Sequence, residues 1–538
     1  MIFKKVIGLL ILSSLLLAQI SDELQDKSKI AFTPHNLLGT RGISLTDSTV
    51  QDFTLCRLCH TPSKMSPVEA LWYRKEAVRD FHVEKNVETQ ADEILPSDVI
   101  SRSCLGCHDG SIADGFPQHE MPQHPEVSLL GGKGEVTPNL NLHLFRFQND
   151  NVETHLPEST SAIYVDETGD VSCVSCHDPH NNELGSFLKV SADKSQICYE
   201  CHEMSNWEMS SHGNSADPRF AELNDMACSH CHDIHAVPAR HQLLKADENT
   251  LCFSCHDGMK NSKTEIAADA DLKAVFEKTF IHPIQWSSGK PEITSEFGDW
   301  SNGIANARSI GCSDCHNPHA ASEHVNEPFL DGSQLYVAGV DARGFSKAVA
   351  DYEYETCYKC HGMNQNTPMG GDVGRLFARS NASYHPVEGM GNNPFVPSLK
   401  PEWSEQSMIR CSDCHGNDDP MGAQGPHGSS IPHILKASYA EYPFASLEEN
   451  QLCFRCHEEQ RVVQSNGFKY HQLHISDAGY ACSACHDPHG SVEYPGLMNL
   501  NQGFIQPLNG VLEVVQTEPG HGYCTMKCHD KAHPSQTY

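Results

Sequence analysis

The chain has 538 residues of which only 38% are hydrophobic, so it is short of material for the three or four aliphatic cores its length would allow. Its 38 Lys+Arg stand against 70 Asp+Glu, a formal charge of −32, which excludes a nucleic-acid binder and disfavours docking to anionic lipid. Cysteine (24) and histidine (34) are over-used instead, and whatever fills the interior has to involve them.

At the N-terminus, Lys4 and Lys5 precede an apolar run from Val6 to Ala18, followed by Asp22 and Glu23. That run is too short for a bilayer core of about 30 Å but suits the apolar part of a signal peptide, expected over 1–18. Leu16 departs from the small residue preferred near a cleavage point. No cysteine at the boundary suggests a lipid anchor, and no second long apolar run suggests a transmembrane segment in the mature chain. The expected location is outside the cytoplasm: periplasmic, extracellular or on the outer cell surface. Removing the two lysines takes the charge from −32 to −34.

Every cysteine then falls in one of twelve pairs, each followed directly by histidine. Eleven pairs are C-x-x-C-H: Cys56, Cys59 and His60; Cys104, Cys107 and His108; Cys173, Cys176 and His177; Cys198, Cys201 and His202; Cys228, Cys231 and His232; Cys252, Cys255 and His256. They continue with Cys312, Cys315 and His316; Cys357, Cys360 and His361; Cys411, Cys414 and His415; Cys453, Cys456 and His457; Cys482, Cys485 and His486. The twelfth, Cys524, Cys528 and His529, has one extra residue between its cysteines. The composition alone would yield well under one such motif.

The spacing has a chemical reason. Two thiols three positions apart can each form a thioether with one haem vinyl group, and the next residue projects its imidazole under the iron. The extra residue before Cys528 is expected to loop out. Redox-active C-x-x-C would occur once or twice and needs no histidine. Tetrahedral zinc wants four ligands at matched spacings, and a disulfide framework would not pair with histidine. The pattern therefore predicts covalent haem c, twelve per chain, with all 24 cysteines as thioethers and the twelve motif histidines as proximal iron ligands.

The motifs come in doublets. CVSCHDPHNNELGSFLK leads into ICYECH, CSHCHDIHAVPARHQLLK into LCFSCH, and CSDCHGNDDP, through HILK, into LCFRCH. The doublets divide the mature chain into an N-terminal dihaem region (19–160), tetrahaem regions (161–300 and 301–475) and a C-terminal dihaem region (476–538). Helical periodicity is scarce, with short candidates at Val68–Val83 and Ala267–Thr279. The expected fold is haem-dominated, mostly irregular coil with short α-helices and little β, arranged as an elongated array of dihaem doublets.

On TPHNLLG, LCRLCHTP, ALWYR, SCLGCHDGSIADG, VSCVSCHDPHNNE, WEMSSH, YHPVEG and CTMKCHDKAH, the chain resembles the doubled C-x-x-C-H multihaem cytochromes c, exported electron carriers. The resemblance covers nearly the whole mature length. It implies bis-histidine haems packed as a wire, with His180, His235, His319 and His489, all in CH-x-x-H, as distal ligands. Ser63 stands where the family's CHTPH pattern has its last histidine, and the Cys411 motif reads CHGNDDP, with the matching PHG delayed to His427.

A histidine three residues past the motif histidine cannot easily reach the far side of its own iron, because the porphyrin plane intervenes. It can serve an adjacent haem, which forces two macrocycles together. Similarity and local setting add His35, His212 and the His-Pro residues His124, His282 and His385, whose following proline restricts the histidine backbone. His427, His474 and His533 complete twelve. The main rivals are His82, His119, His471 and His433, while His143, His155, His230, His241, His324 and His521 are expected at the surface or in support. Trp72, Trp207, Trp286, Trp300 and Trp403 are expected to pack on macrocycles or in loops.

Twelve haems would add roughly 7 kDa of apolar plates, enough to supply the missing core. The function this predicts is electron transfer without bond-making catalysis, between redox partner proteins such as other cytochromes, an outer-membrane porin assembly or a metal acceptor. No nucleic-acid partner is expected. Two alternatives are a subunit of an extracellular cytochrome filament and a multihaem reductase with one open five-coordinate haem.

Overall fold

The computed structural model describes residues 33–35, 104, 152–154, 161–163, 173–204, 206–213, 227–232, 235, 244–256, 272–282, 284, 310–322, 326–327, 329–362, 372–441, 443–464, 468–500, 503–528 and 531–538. The expected signal peptide, the first motif with Ser63, Cys107, His108, His124, His529 and the candidate helix Val68–Val83 lie outside the described residues. The chain divides into two compact units, one holding 152–205 and 222–245, the other 206–221 and 246–538.

The described residues of both units are mostly coil, because the sequence offers single turns rather than periodic runs. Helices form where a motif demands one: Cys173–Cys176, Ala227–Cys231 and Cys411–Cys414 are little more than the motif itself. Among the described residues the longest helix is Glu353–His361, which carries a complete motif. Of the candidate at Ala267–Thr279, the described part from 272 onward holds a helix at Lys273–Phe276. Before the C-terminus, strands are two or three residues long, such as Phe280–Ile281 with Gly428–Ser429 and Ser383–Tyr384 with Gly490–Ser491.

The C-terminus departs from this pattern. Ile505–Gln506, Glu513–Glu518, His521–Cys528 and Lys531–Thr537 form a four-stranded antiparallel sheet with His521–Cys528 inside it. Leu500, Ile505 and Met526 are the buried centre beneath it, flanked by Cys524 and Cys528. A second small cluster, Val340, Tyr354, Tyr358, Phe377 and Val387, packs on helix Glu353–His361. Tyr358 donates its hydroxyl to Glu388 at 2.8 Å, which satisfies the polar end of a ring otherwise buried in apolar contact. Both clusters are small among the described residues.

Candidate haem sites

Each described C-x-x-C-H motif is built on one turn. The histidine N–H donates to the first cysteine's carbonyl in seven of them: His177 to Cys173 (2.9 Å), His232 to Cys228 (2.9 Å), His256 to Cys252 (3.0 Å), His316 to Cys312 (2.9 Å), His415 to Cys411 (2.9 Å), His457 to Cys453 (3.1 Å) and His486 to Cys482 (3.0 Å). That i to i−4 bond puts both sulfurs and the imidazole on one short coil of backbone.

A second segment braces the turn. The N–H of Lys189, Lys245, Lys400 and Lys436 donates to the carbonyl of Cys176, Cys231, Cys456 and Cys414, each at 2.9 Å, and Asn499 does the same to Cys485 at 2.8 Å. Leu188, Leu244, Leu399, Leu435 and Met498 bridge the motif histidine just before it. The Leu-Lys signal that follows most first motifs thus has a structural role. Leu399–Lys400, however, docks on Cys456 from far upstream, which sequence order alone did not suggest.

The same brace fixes the ring. Nδ1 of His177, His316, His415 and His486 donates to the carbonyl of Ser186 (2.8 Å), Ser333 (2.9 Å), His433 (2.8 Å) and Gly496 (2.7 Å). A carbonyl can only accept, so Nδ1 carries the proton and Nε2 is left as the ligand atom. The carbonyl is presented by left-handed backbone: φ is +47° and +58° at Ser186 and Phe187, and +58° and +55° at His433 and Ile434. Such non-glycine residues are costly and persist where the surroundings demand them.

Opposite these rings stand other histidines. His177 faces His235 (ring centres 6.1 Å apart), His256 faces His212 (6.2 Å), His361 faces His282 (6.4 Å), His316 faces His427 (5.9 Å), His415 faces His489 (6.4 Å) and His486 faces His471 (6.3 Å). An imidazole nitrogen sits about 2 Å from a first-row metal and about 1.1 Å from its own ring centre, so two rings on one iron stand roughly 6 Å apart. The residues present fit haem iron held between two histidines.

Burial favours the neutral form, the one that binds metal, at three buried histidines: His427 is pushed down to about 3, and His457 and His471 each to about 4, by desolvation. A repeated hydrogen bond orients His35, His212, His282 and His385. Nδ1 of His35 and His212 donates to the carbonyl of Pro179 (2.9 Å) and Pro318 (3.0 Å), His385 bonds Pro488, and His282 bonds Pro426. Each of those prolines immediately precedes a second candidate ligand: His180, His319, His489 or His427. The two classes of non-motif histidine are therefore tied together in pairs, a link visible in the sequence only as recurring Pro-His.

Other candidates are placed differently. His180 donates to Asp178, His319 meets the edge of Trp207 at 6.0 Å, and His35 stacks on Phe187 at 4.1 Å. His474 stands beside His533 (6.5 Å) and Tyr480, and the ring of its rival His471 lies 6.3 Å from that of His486. His433 bonds Glu441 on the surface and lends only its carbonyl to His415.

Neighbouring motifs touch through their sulfurs. Within the first unit Cys198 bonds Cys228; within the second Cys357 bonds Cys411 and Cys453 bonds Cys482. Glu353, Cys357 and Cys411 offer three ligand atoms within 4.8 Å of one another. Both sulfurs belong to attachment motifs, so this cluster marks contact between two haem sites rather than an ion site. Cys524 and Cys528 are the exception, lying along strand His521–Cys528 instead of on a turn; the extra residue is absorbed as a pairing irregularity between Cys524 and Met526 instead of a loop.

Residues 167–206 and 221–261 match the doubled CXXCH motif family, and residues 411–502 match the cytochrome c-type protein NrfB-like family. The multiheme cytochrome MtrA of Shewanella baltica (strain OS185) is 27% identical over 207 residues, covering 36% of this chain and 42% of that relative. The alignment thus spans less than half the length of the curated relative. No solved structure matches. Among the described residues no helix is long and apolar enough to cross a membrane. Both family matches fall on segments whose cysteines form attachment turns, and together with the MtrA relative they support a likeness to the multihaem c-type cytochromes.

Proposed function

We propose that the protein is an exported dodecahaem cytochrome that passes electrons through closely packed bis-histidine haems between redox partners. The observation that carries this is the set of six motif histidines with a second histidine ring 5.9–6.4 Å away. Bound haem supplies a one-electron ferric–ferrous couple. The chain's own residues supply the rest: thioether sulfurs would fix each macrocycle, Nδ1 hydrogen bonds hold rings such as His177, His212, His316 and His415, and burial keeps His427, His457 and His471 neutral.

In this reading His235, His212, His282, His427, His489 and His471 are the far ligands of the haems at Cys173, Cys252, Cys357, Cys312, Cys411 and Cys482 respectively. His385, within electrostatic range of His457, serves the haem at Cys453. The sulfur contacts between successive motifs support haems near enough to exchange electrons without an intermediate carrier. The acidic surface suits encounter with basic partner proteins or metal cations. The signal-like N-terminus supports a place outside the cytoplasm, and the repeat supports an array of doublets. The test is a pyridine haemochrome assay with carbon monoxide titration of reduced protein. Twelve haems that stay low-spin and bind little carbon monoxide are expected; a high-spin haem open to carbon monoxide in the parent protein would favour the reductase alternative.

A further inference from the structure

The histidines of the CH-x-x-H type differ in what stands two residues before them. Asp487 precedes His489, as Asp178 precedes His180 and Asp233 precedes His235, whereas Asn317 precedes His319 and Gly425 precedes the delayed counterpart His427. Oδ1 of Asp487 accepts from the His489 backbone N–H at 2.9 Å and from its ring Nδ1 at 3.1 Å. Phe377, itself buried, meets the ring edge-on at 5.5 Å, and the ring lies within 6° of parallel to that of His415. At His427 this device is absent. Gly425 has φ +93°, and a Cβ there would come within 3.2 Å of the His427 ring, so no acidic side chain could stand where Asp487 does.

An imidazole whose N–H donates to a carboxylate is a more basic ligand through its other nitrogen. A more basic ligand favours ferric over ferrous iron, and hydrogen bonding of this kind is one of the protein's levers on haem potential. We propose that Asp487 is a positioning residue that, through His489, lowers the reduction potential of the haem attached at Cys411 and Cys414. This rests on His489 being that haem's far ligand. The haem at Cys312 and Cys315, backed by His427, has no such carboxylate and serves as the internal reference. Arg375 also acts on Asp487 and tempers the charge it lends without replacing it.

The test uses the full haem-loaded chain and the Asp487→Asn variant, in which the amide oxygen can still accept both N–H bonds while the charge is gone. Potentiometric titration should find one low-spin haem about tenfold easier to reduce, about 59 mV for a one-electron couple, with its ferric low-spin resonance shifted and the other haems unmoved. Asp487→Glu should bring that haem back toward the parent potential. Should the Asn variant not accumulate with full haem, Asp487→Ser gives the same readout. A titration that superposes on the parent's, with every haem still low-spin, overturns the proposal and leaves bis-histidine ligation standing. Separately, His489→Ala should open one haem to carbon monoxide; if it does not, His489 is no ligand, and the proposal falls together with the assignment beneath it.

Discussion

The last two motifs are neighbours in the chain and opposites in construction. Cys482–Ala484 is a tight 3-10 turn closed by the His486 N–H, in which three residues rise about 6 Å along the axis. Cys524 and Cys528 lie in a strand, where four residues span about 13 Å. The spacing explains the difference. Positions i and i+3 share a face only on a helical turn, whereas i and i+4 also share a face of a strand, which is why Cys524, Met526 and Cys528 join one apolar cluster. The strand's hydrogen bonds to both neighbours and its side-chain cluster can sustain it; the turn has only its closing bond and the short brace at Met498 and Asn499, and must take more of its stability from what the cysteines hold. To accept haem in the manner of the others, the last motif would have to curl and give up part of its pairing.

The sharpest way to break this contrast is to remove each pair of thiols. Cys482→Ala with Cys485→Ala should cost a haem and several kcal/mol, a fall of roughly 10 °C in Tm for the surrounding unit, because Cys453 and the brace at Leu497–Asn499 lose what they pack on. Cys524→Ala with Cys528→Ala should cost a haem and much less stability, since the four-stranded sheet keeps its backbone bonds. Calorimetry on both variants decides it: equal losses would mean that the sheet, too, leans on haem.

Next in size is Met526→Ala. Met526 is 5% exposed at the centre of the C-terminal cluster, and the truncation should cost about 2–4 kcal/mol. Limited proteolysis should then cut within 503–538 while the haem content at the turn motifs stays at the parent level. Loss of haem from the Cys482 motif in this variant would show that the two regions are not independent. Smaller again is the effect on haem count itself. A pyridine haemochrome value of twelve per chain is expected; eleven, with mass spectrometry finding free thiols at Cys524 and Cys528, would mean that the strand outcompetes attachment.

How much of the molecule is legible in its sequence follows the same division. The attachment motifs, the scarcity of helix and the small aliphatic core are readable because C-x-x-C-H and composition are local facts. His427 as a delayed counterpart is readable from PHG, and the structure brings it opposite His316. The C-terminal sheet is not: one inserted residue reads as a bulge in a known motif unless its effect on strand faces is weighed. Nor are the bonds from His35, His212, His282 and His385 to a distant Pro-His, since they join segments more than a hundred residues apart. Histidines of equal local appearance, such as His471 and His474, are separated only by the backbone between them.

That pair supplies the finest test of the turn motif's ligation. On a regular helix, positions 471 and 474 would share a face, and either could meet His486. The backbone instead winds as a π-helix over Gln472–Asp477, an extra residue in the turn of a kind that often marks functional sites. It carries His474 to Tyr480 and His533, with Nδ1 donating to the Tyr470 carbonyl at 2.9 Å, and leaves His471 at 6.3 Å from His486. His471→Ala should therefore turn one haem high-spin and open it to carbon monoxide when reduced, with little change in overall stability. His474→Ala should leave the carbon monoxide difference spectrum at the parent level. The reverse result would hand His486 to His474, and the π-turn would then have to unwind when the macrocycle is in place.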